Sequence, residues 1–178
     1  MITDAPFPDA EPGLIDDFTD PAGVSRLGTP WRLVTDQVMG GVSQGRMALM
    51  RVDGRPALCL RGDVSLENNG GFVQVNLDLA PVGYFDASGF MGVRLVVRGN
   101  GDTYGLHLKS ADCIRPWQSY RAEFMAGPDW QEVELPFARF TPHRLTEPLD
   151  LSRLMRLGIV AIGRTMHAEV CMARIGFV

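Results

Sequence analysis

The sequence predicts an all-β fold, a jelly-roll sandwich of about ten short antiparallel strands with at most one short helix. Apolar and polar residues alternate with period two along most of the 178-residue chain. Turn-forming pairs such as Asp53-Gly54, Asn69-Gly70, Asn100-Gly101 and Gly127-Pro128 interrupt the alternation at short intervals. Helical periodicity is almost absent. The chain is long enough for one well-buried core and short for two, so residues 14–178 are expected to form a single domain behind a Pro- and Asp-rich arm of residues 1–13.

The elements follow in order. Leu14 to Phe18, Trp31 to Thr35, Arg46 to Val52 and Pro56 to Arg61 are candidate strands between turn signals. In Val73-Gln74-Val75-Asn76-Leu77-Asp78-Leu79 the alternation runs without a fault, placing Gln74, Asn76 and Asp78 on the polar face. The same period appears in Val93-Leu95-Val97, Tyr104-Leu106-Leu108 and Tyr120-Ala122-Phe124, with His107 on the polar side of its strand. Gln131 to Leu135, Leu157 to Ile162 and Glu169 to Phe177 complete the set. The single helix expected is a short one over residues 150–156, capped by Asp150 and carrying Leu151, Leu154 and Met155 at helical spacing.

Composition removes several function classes. A hydrophobic content of 46%, 21% charged residues and a net charge of −4 describe a globular acidic domain. Its 17 Lys and Arg are scattered singly, which leaves no nucleic-acid footprint. Cys59, Cys113 and Cys171 lack the spacing of a zinc site or a redox dithiol and read as three reduced thiols of a cytoplasmic protein. The acidic N-terminal stretch resembles neither a secretory signal nor a transit peptide, and no uncharged apolar run approaches the roughly 18 residues of a membrane span. The expected location is therefore cytoplasmic, with peripheral attachment to a membrane complex left open.

Familiar chemistry is hard to find. Gly41-Val42-Ser43-Gln44-Gly45 fits the G-x-S-x-G pattern of a hydrolase elbow, but that motif needs a strand, a sharp turn and a helix. Here a strand is expected to follow, so Ser43 reads as a turn serine. The three histidines are isolated, no phosphate-binding glycine loop is present, and no cofactor or metal is expected. Asp16, Asp17 and Glu169 are a thin basis for a structural Ca²⁺ site. Two glycine-centred segments stand out instead: Asp36-Gln37-Val38-Met39-Gly40-Gly41-Val42-Ser43 and Leu66-Glu67-Asn68-Asn69-Gly70-Gly71-Phe72. A Gly-Gly pair permits positive φ or close backbone approach. With Arg115-Pro116-Trp117-Gln118-Ser119-Tyr120 they form the candidate binding surface.

These segments resemble the complex I intermediate-associated protein family. The likeness continues through Asp86-Ala87-Ser88-Gly89-Phe90-Met91-Gly92-Val93, Arg98 to Tyr104, Gln118 to Phe124, Trp130 and Leu135-Pro136-Phe137-Ala138-Arg139-Phe140. It implies a galactose-binding-like jelly roll and a role in assembling respiratory NADH:ubiquinone oxidoreductase. Val73-Gln74-Val75-Asn76, where the family usually has small and basic residues, and Arg164 to Glu169 depart from its pattern. The expectation is a non-enzymatic assembly-factor module contacting a protein partner, an assembly intermediate of complex I. Its contacts are expected from Asp36, Met39, Gly40, Gly41, Ser43, Asn68, Asn69, Gly70, Gly71, Phe72, Trp117, Gln118 and Tyr120. The alternatives are a carbohydrate-binding module using Gln74, Asn76, Asp78 and His107 with Trp117 or Tyr84 as a stacking platform, and, more remotely, a hydrolase with Ser43 as nucleophile. The sequence leaves the oligomeric state open.

Overall fold

A computed structural model describes residues 11–178; residues 1–10 of the expected arm lie outside the described residues. The period-two segments all become strands: β1 Leu14–Asp16, β2 Trp31–Thr35, β3 Gln44–Val52, β4 Arg55–Val64, β5 Phe72–Asp78, β6 Gly92–Gly99, β7 Thr103–Ser110, β8 Ser119–Met125, β9 Gln131–Pro136, β10 Thr141–His143, β11 Leu154–Ile162 and β12 Met166–Phe177. They form two antiparallel sheets. One runs β3-β4-β12-β6-β9, with β1 continuing along the edge of β12 that β4 leaves free; the other runs β10-β8-β7-β11-β5-β2.

The helix expected over residues 150–156 is corrected. Asp150 does cap, accepting from Ser152 N at 3.0 Å, but only a single 3₁₀ turn of Leu151–Arg153 follows. Leu154 then opens β11 and enters the core, because a β-bridge to Phe85 and pairing with β7 satisfy its backbone where a helix would not. Three further 3₁₀ turns, at Asp36–Met39, Glu67–Asn69 and Phe137–Arg139, fill corners between strands.

The core lies between the sheets, and alternation supplies it. Val73, Val75 and Leu77 of β5 meet Leu106 and Leu108 of β7, Leu157 and Ile159 of β11, and Leu58, Leu60, Val93, Leu95 and Ile175 from the facing sheet. Phe85, Phe90 and Phe137 close one side around Phe177, with the Phe85 and Phe177 rings 5.0 Å apart. Trp31 is a core residue whose indole N–H donates to buried Asp16 Oδ2 at 2.9 Å. Both Asp16 oxygens are occupied in this way, since Oδ1 accepts from Phe18 N at 2.8 Å.

One sequence expectation fails on the outward side of the first sheet. Cys59 and Cys171 are not free thiols: they face each other across β4 and β12, with Cα atoms 4.1 Å apart, and form a disulfide. Their separation of 112 residues conceals a cross-strand pair that only the sheet register creates. Trp130 lies on this outward side against the disulfide, with Arg55 and Arg98 at 5.8 and 5.9 Å from its ring centroid. Cys113 alone remains a buried thiol.

A disulfide closing so long a loop removes substantial freedom from the unfolded chain. We expect reduction, or Cys59→Ala, to cost about 2–4 kcal/mol in urea unfolding. Thiol titration of the denatured, unreduced protein taken from its own host should find one reactive cysteine. Three would place it in a reducing compartment, where such bonds do not persist.

Candidate functional site

The two glycine segments meet at one corner of the sandwich, where the chain crosses between sheets twice. Residues 36–43 carry it from β2 in the second sheet to β3 in the first, and residues 65–71 return it from β4 to β5. Both crossings are tied to the carboxylate of Asp36, which is fully buried. Its Oδ1 accepts from Ser43 N at 3.0 Å. Its Oδ2 accepts from Ser43 Oγ at 2.5 Å, Gly71 N at 2.6 Å and Phe72 N at 3.2 Å. Ser43 Oγ in turn accepts from Ser65 N at 2.9 Å, and Gln37 Nε2 donates to Ser43 O at 2.8 Å.

The local sequence explains why this corner forms. Thr35 ends β2 and caps the 3₁₀ turn by accepting from Gln37 N at 3.3 Å. In each Gly-Gly pair the two glycines have different tasks. Gly40 and Gly71 adopt positive φ, 85° and 134°. Gly41 and Gly70 make room: a Cβ on Gly41 would stand 2.4 Å from Asp36 Cγ and Oδ1, and one on Gly70 2.5 Å from Oδ2. Asn68 and Asn69 take the left-handed conformation at φ 55° and 57°, which their short polar side chains tolerate.

Electrostatically the carboxylate is held ionised. Burial works against its charge, but the Ser43 hydroxyl and the N–H groups of Gly71, Ser43 and Phe72 outweigh it and set the Asp36 pKa below the usual carboxylate value. The corner has the form of an internal anion nest, with Asp36 as its anion. It is not a hydrolase elbow. Ser43 is fully buried, its hydroxyl is committed to Asp36 and the Ser65 backbone, and the G-x-S-x-G run leads from a loop into β3.

Beside exposed Gln37, Glu67, Asn68 and Asn69, the corner shows three apolar side chains to solvent. Val38 is 75% exposed, Met39 60% and Leu66 50%. Leu66 packs over the Gly71 backbone, its Cδ2 lying 2.8 Å from where a Gly71 Cβ would be.

The third candidate segment does not join the other two. Leu154 pairs with Ser110, just before the 111–118 loop, while Ile162 pairs with Phe72. The loop therefore sits at the opposite end of the second sheet, roughly 26 Å away along β11. Trp117 there is 58% exposed and not part of the core. Gln118 braces its own loop, Oε1 accepting from Ile114 N and Arg115 N at 2.9 Å. Tyr120 leaves the set of contact residues, because it is fully buried and its hydroxyl donates to Glu147 O at 2.7 Å. Gln74, Asn76, Asp78 and His107 do share the outward face of the second sheet, with Gly158 between Asn76 and His107. A depression of about 340 Å³ beside the disulfide is lined by none of the candidate contact residues, and its Arg61 and Arg98 are paired with Glu169 and Asp53. Among the described residues no group of three His, Cys, Asp or Glu is placed to hold a metal ion.

The fold is a β-sandwich of the type found in carbohydrate-binding modules. The family 11 carbohydrate-binding module from Clostridium thermocellum, solved with a β-1,3-1,4-mixed-linked tetrasaccharide, is similar over 93% of this chain and 94% of its own, with TM-score 0.71 at 12% identity. A family 30 carbohydrate-binding module matches 74% of this chain and 73% of its own, with TM-score 0.58 at 15% identity. At such identities the likeness shows the fold alone. A comparison with curated proteins returns no significant match. The profile of Complex I intermediate-associated protein 30 (CIA30) matches residues 17–169, which include the Asp36 corner, and the chain belongs to that family.

The corner generates a graded prediction. Gly41→Ala and Gly70→Ala force a Cβ into the Asp36 carboxylate and should each cost at least about 2 kcal/mol. Gly40→Ala meets nothing within 4 Å and bears only its positive φ, about 1–2 kcal/mol. Asp36→Asn should cost about 2–4 kcal/mol, since an amide cannot accept all four bonds. With its pKa lower folded than unfolded, Asp36 contributes stability above the unfolded value, and that contribution is lost as pH falls through the folded one. The wild type should therefore lose its advantage over Asp36→Asn in acid, as read by urea midpoints at successive pH values.

Proposed function

We propose that the chain is a non-enzymatic assembly-factor module that binds a protein partner, an assembly intermediate of respiratory complex I, through the corner organised by Asp36. The observation that carries this reading is the pairing of a rigid, fully bonded turn with exposed Val38, Met39 and Leu66. Apolar side chains fixed on a rigid turn lose little freedom on binding, and Met adapts to irregular partner surfaces. Family membership supplies the class of partner. Among the described residues no helix is long and apolar enough to cross a membrane, so attachment to a respiratory membrane would run through that partner.

The glycan-binding reading draws its support from the polar outward face of the second sheet and from exposed Trp117. On that face Asp78 already bridges Arg32 and Arg156, each at 2.9 Å, and is less free to meet a sugar.

Deleting the gene should impair complex I assembly on native gels, and the tagged protein should capture complex I subunits. Val38→Ser, Met39→Ser and Leu66→Ser combined should abolish capture while leaving the thermal midpoint within about 2 °C, since exposed substitutions change stability little. Normal assembly in the deletion strain, with no respiratory subunits captured, would overturn the reading. Glycan-array binding lost in Trp117→Ala would replace it with the second.

A further inference from the structure

The outward face of the second sheet, at the end far from the Asp36 corner, concentrates positive charge in an otherwise acidic chain. Lys109 is the single lysine among the 17 Lys and Arg residues. It projects outward from β7, since Leu106 and Leu108 on the same strand point into the core, and its register partner is Arg156 on β11. Two positions earlier, His107 is paired with Arg121 of β8, and Arg121 with Thr141 of β10. His143 follows on β10 opposite Ser119, and Arg144 begins the next loop. Four strands and the loop after β10 thus bring two histidines, a lysine and two arginines together beside Arg156.

The protein gives these cations little to bind. Lys109 Nζ donates to Pro116 O at 2.6 Å and Arg121 Nε to Ser119 Oγ at 2.9 Å, both neutral acceptors. Asp78 is the carboxylate beside them, and it is shared by Arg32 and Arg156. Glu123 lies further along the outward side of β8, but no carboxylate among the described residues comes within 4.0 Å of Lys109, Arg121 or Arg144. Burial, reinforced by the neighbouring positive charges, pushes Lys109, Arg121 and His143 toward their neutral forms and His107 down to about 3. The cluster is crowded by like charge and lacks a neutralising carboxylate of its own.

We propose that Lys109, Arg121 and Arg144, with His107 and His143 between them, bind a small molecule through its phosphate group. Charge selects the ligand. Three cations without a carboxylate partner are matched by a phosphomonoester, which carries about −1.5 to −2 and offers three strong acceptor oxygens, better than by a single carboxylate. A lysine supplies a point charge and arginines supply planar forks, the combination that phosphate oxygens accept. The site lies on a different element set from the Asp36 corner, so it stands whether or not the assembly role does.

The lone lysine provides the readout. Acetylation of Lys109 in the folded protein, followed by peptide mass mapping, should slow about tenfold in inorganic phosphate at ten times its dissociation constant, relative to chloride at equal ionic strength. At about five times that constant, phosphate should also raise the thermal midpoint by roughly 2–4 °C. Both effects should disappear in Arg121→Gln and in Arg144→Asn, with folding checked by circular dichroism; Arg144→Asn, in a loop, decides alone if Arg121→Gln does not fold. Equal slowing by chloride, or an undiminished phosphate effect in the folded variants, overturns the proposal. So does protection by an oligo-glutamate peptide where phosphate gives none, which would assign the face to an acidic protein segment.

Discussion

A carboxylate removed from water and surrounded by four donors holds this sandwich together at its most demanding point. Isolated, such a charge would cost several kcal/mol to bury. Ser43 and the N–H groups of Gly71 and Phe72 remove most of that cost, and in doing so they join segments 35 residues apart. Since the chain changes sheet on both segments, the bond network also sets how β2 and β5 lie against β3 and β4. Contacts across the core are numerous and forgiving; this junction is neither.

The same constraint bears on function. A turn that must present four converging bonds cannot drift, so the side chains outside it are held in place without needing a partner to order them. Val38, Met39 and Leu66 are therefore displayed by a scaffold whose stiffness comes from the polar side of the same turn. Within this turn the buried group is a carboxylate, while Val38, Met39 and Leu66 face solvent.

The fold was largely legible in the sequence because a sheet with one buried face writes its geometry as strict alternation. Val73 to Leu79 identified which side of β5 faces the core and which carries Gln74, Asn76 and Asp78. Features that depend on register were hidden. Cys59 and Cys171 become neighbours only when β4 and β12 align, and Lys109 meets Arg156 and Arg121 only when β7 lies between β11 and β8. Leu154 and Met155 imitated a helix because a strand entry after a 3₁₀ turn briefly repeats helical spacing. The glycine pairs were conspicuous, but their reason was not. Nothing in the string says that Gly41 and Gly70 flank one carboxylate. Nor does it show that the loop bearing Trp117 opens at the far end of the sheet.

The first sheet is built on β12, a strand that follows all of its sheet neighbours in chain order. β12 lies between β4 and β6, receives β1 on its remaining edge and carries one half of the disulfide. Until Phe177 has left the ribosome, β4 and β6 each present an open edge with no neighbour, and Cys59 has no partner. A chain made only as far as β11 is thus exposed to wrong pairing at both of these edges, and its first sheet exists as two half-sheets that β12 has yet to join.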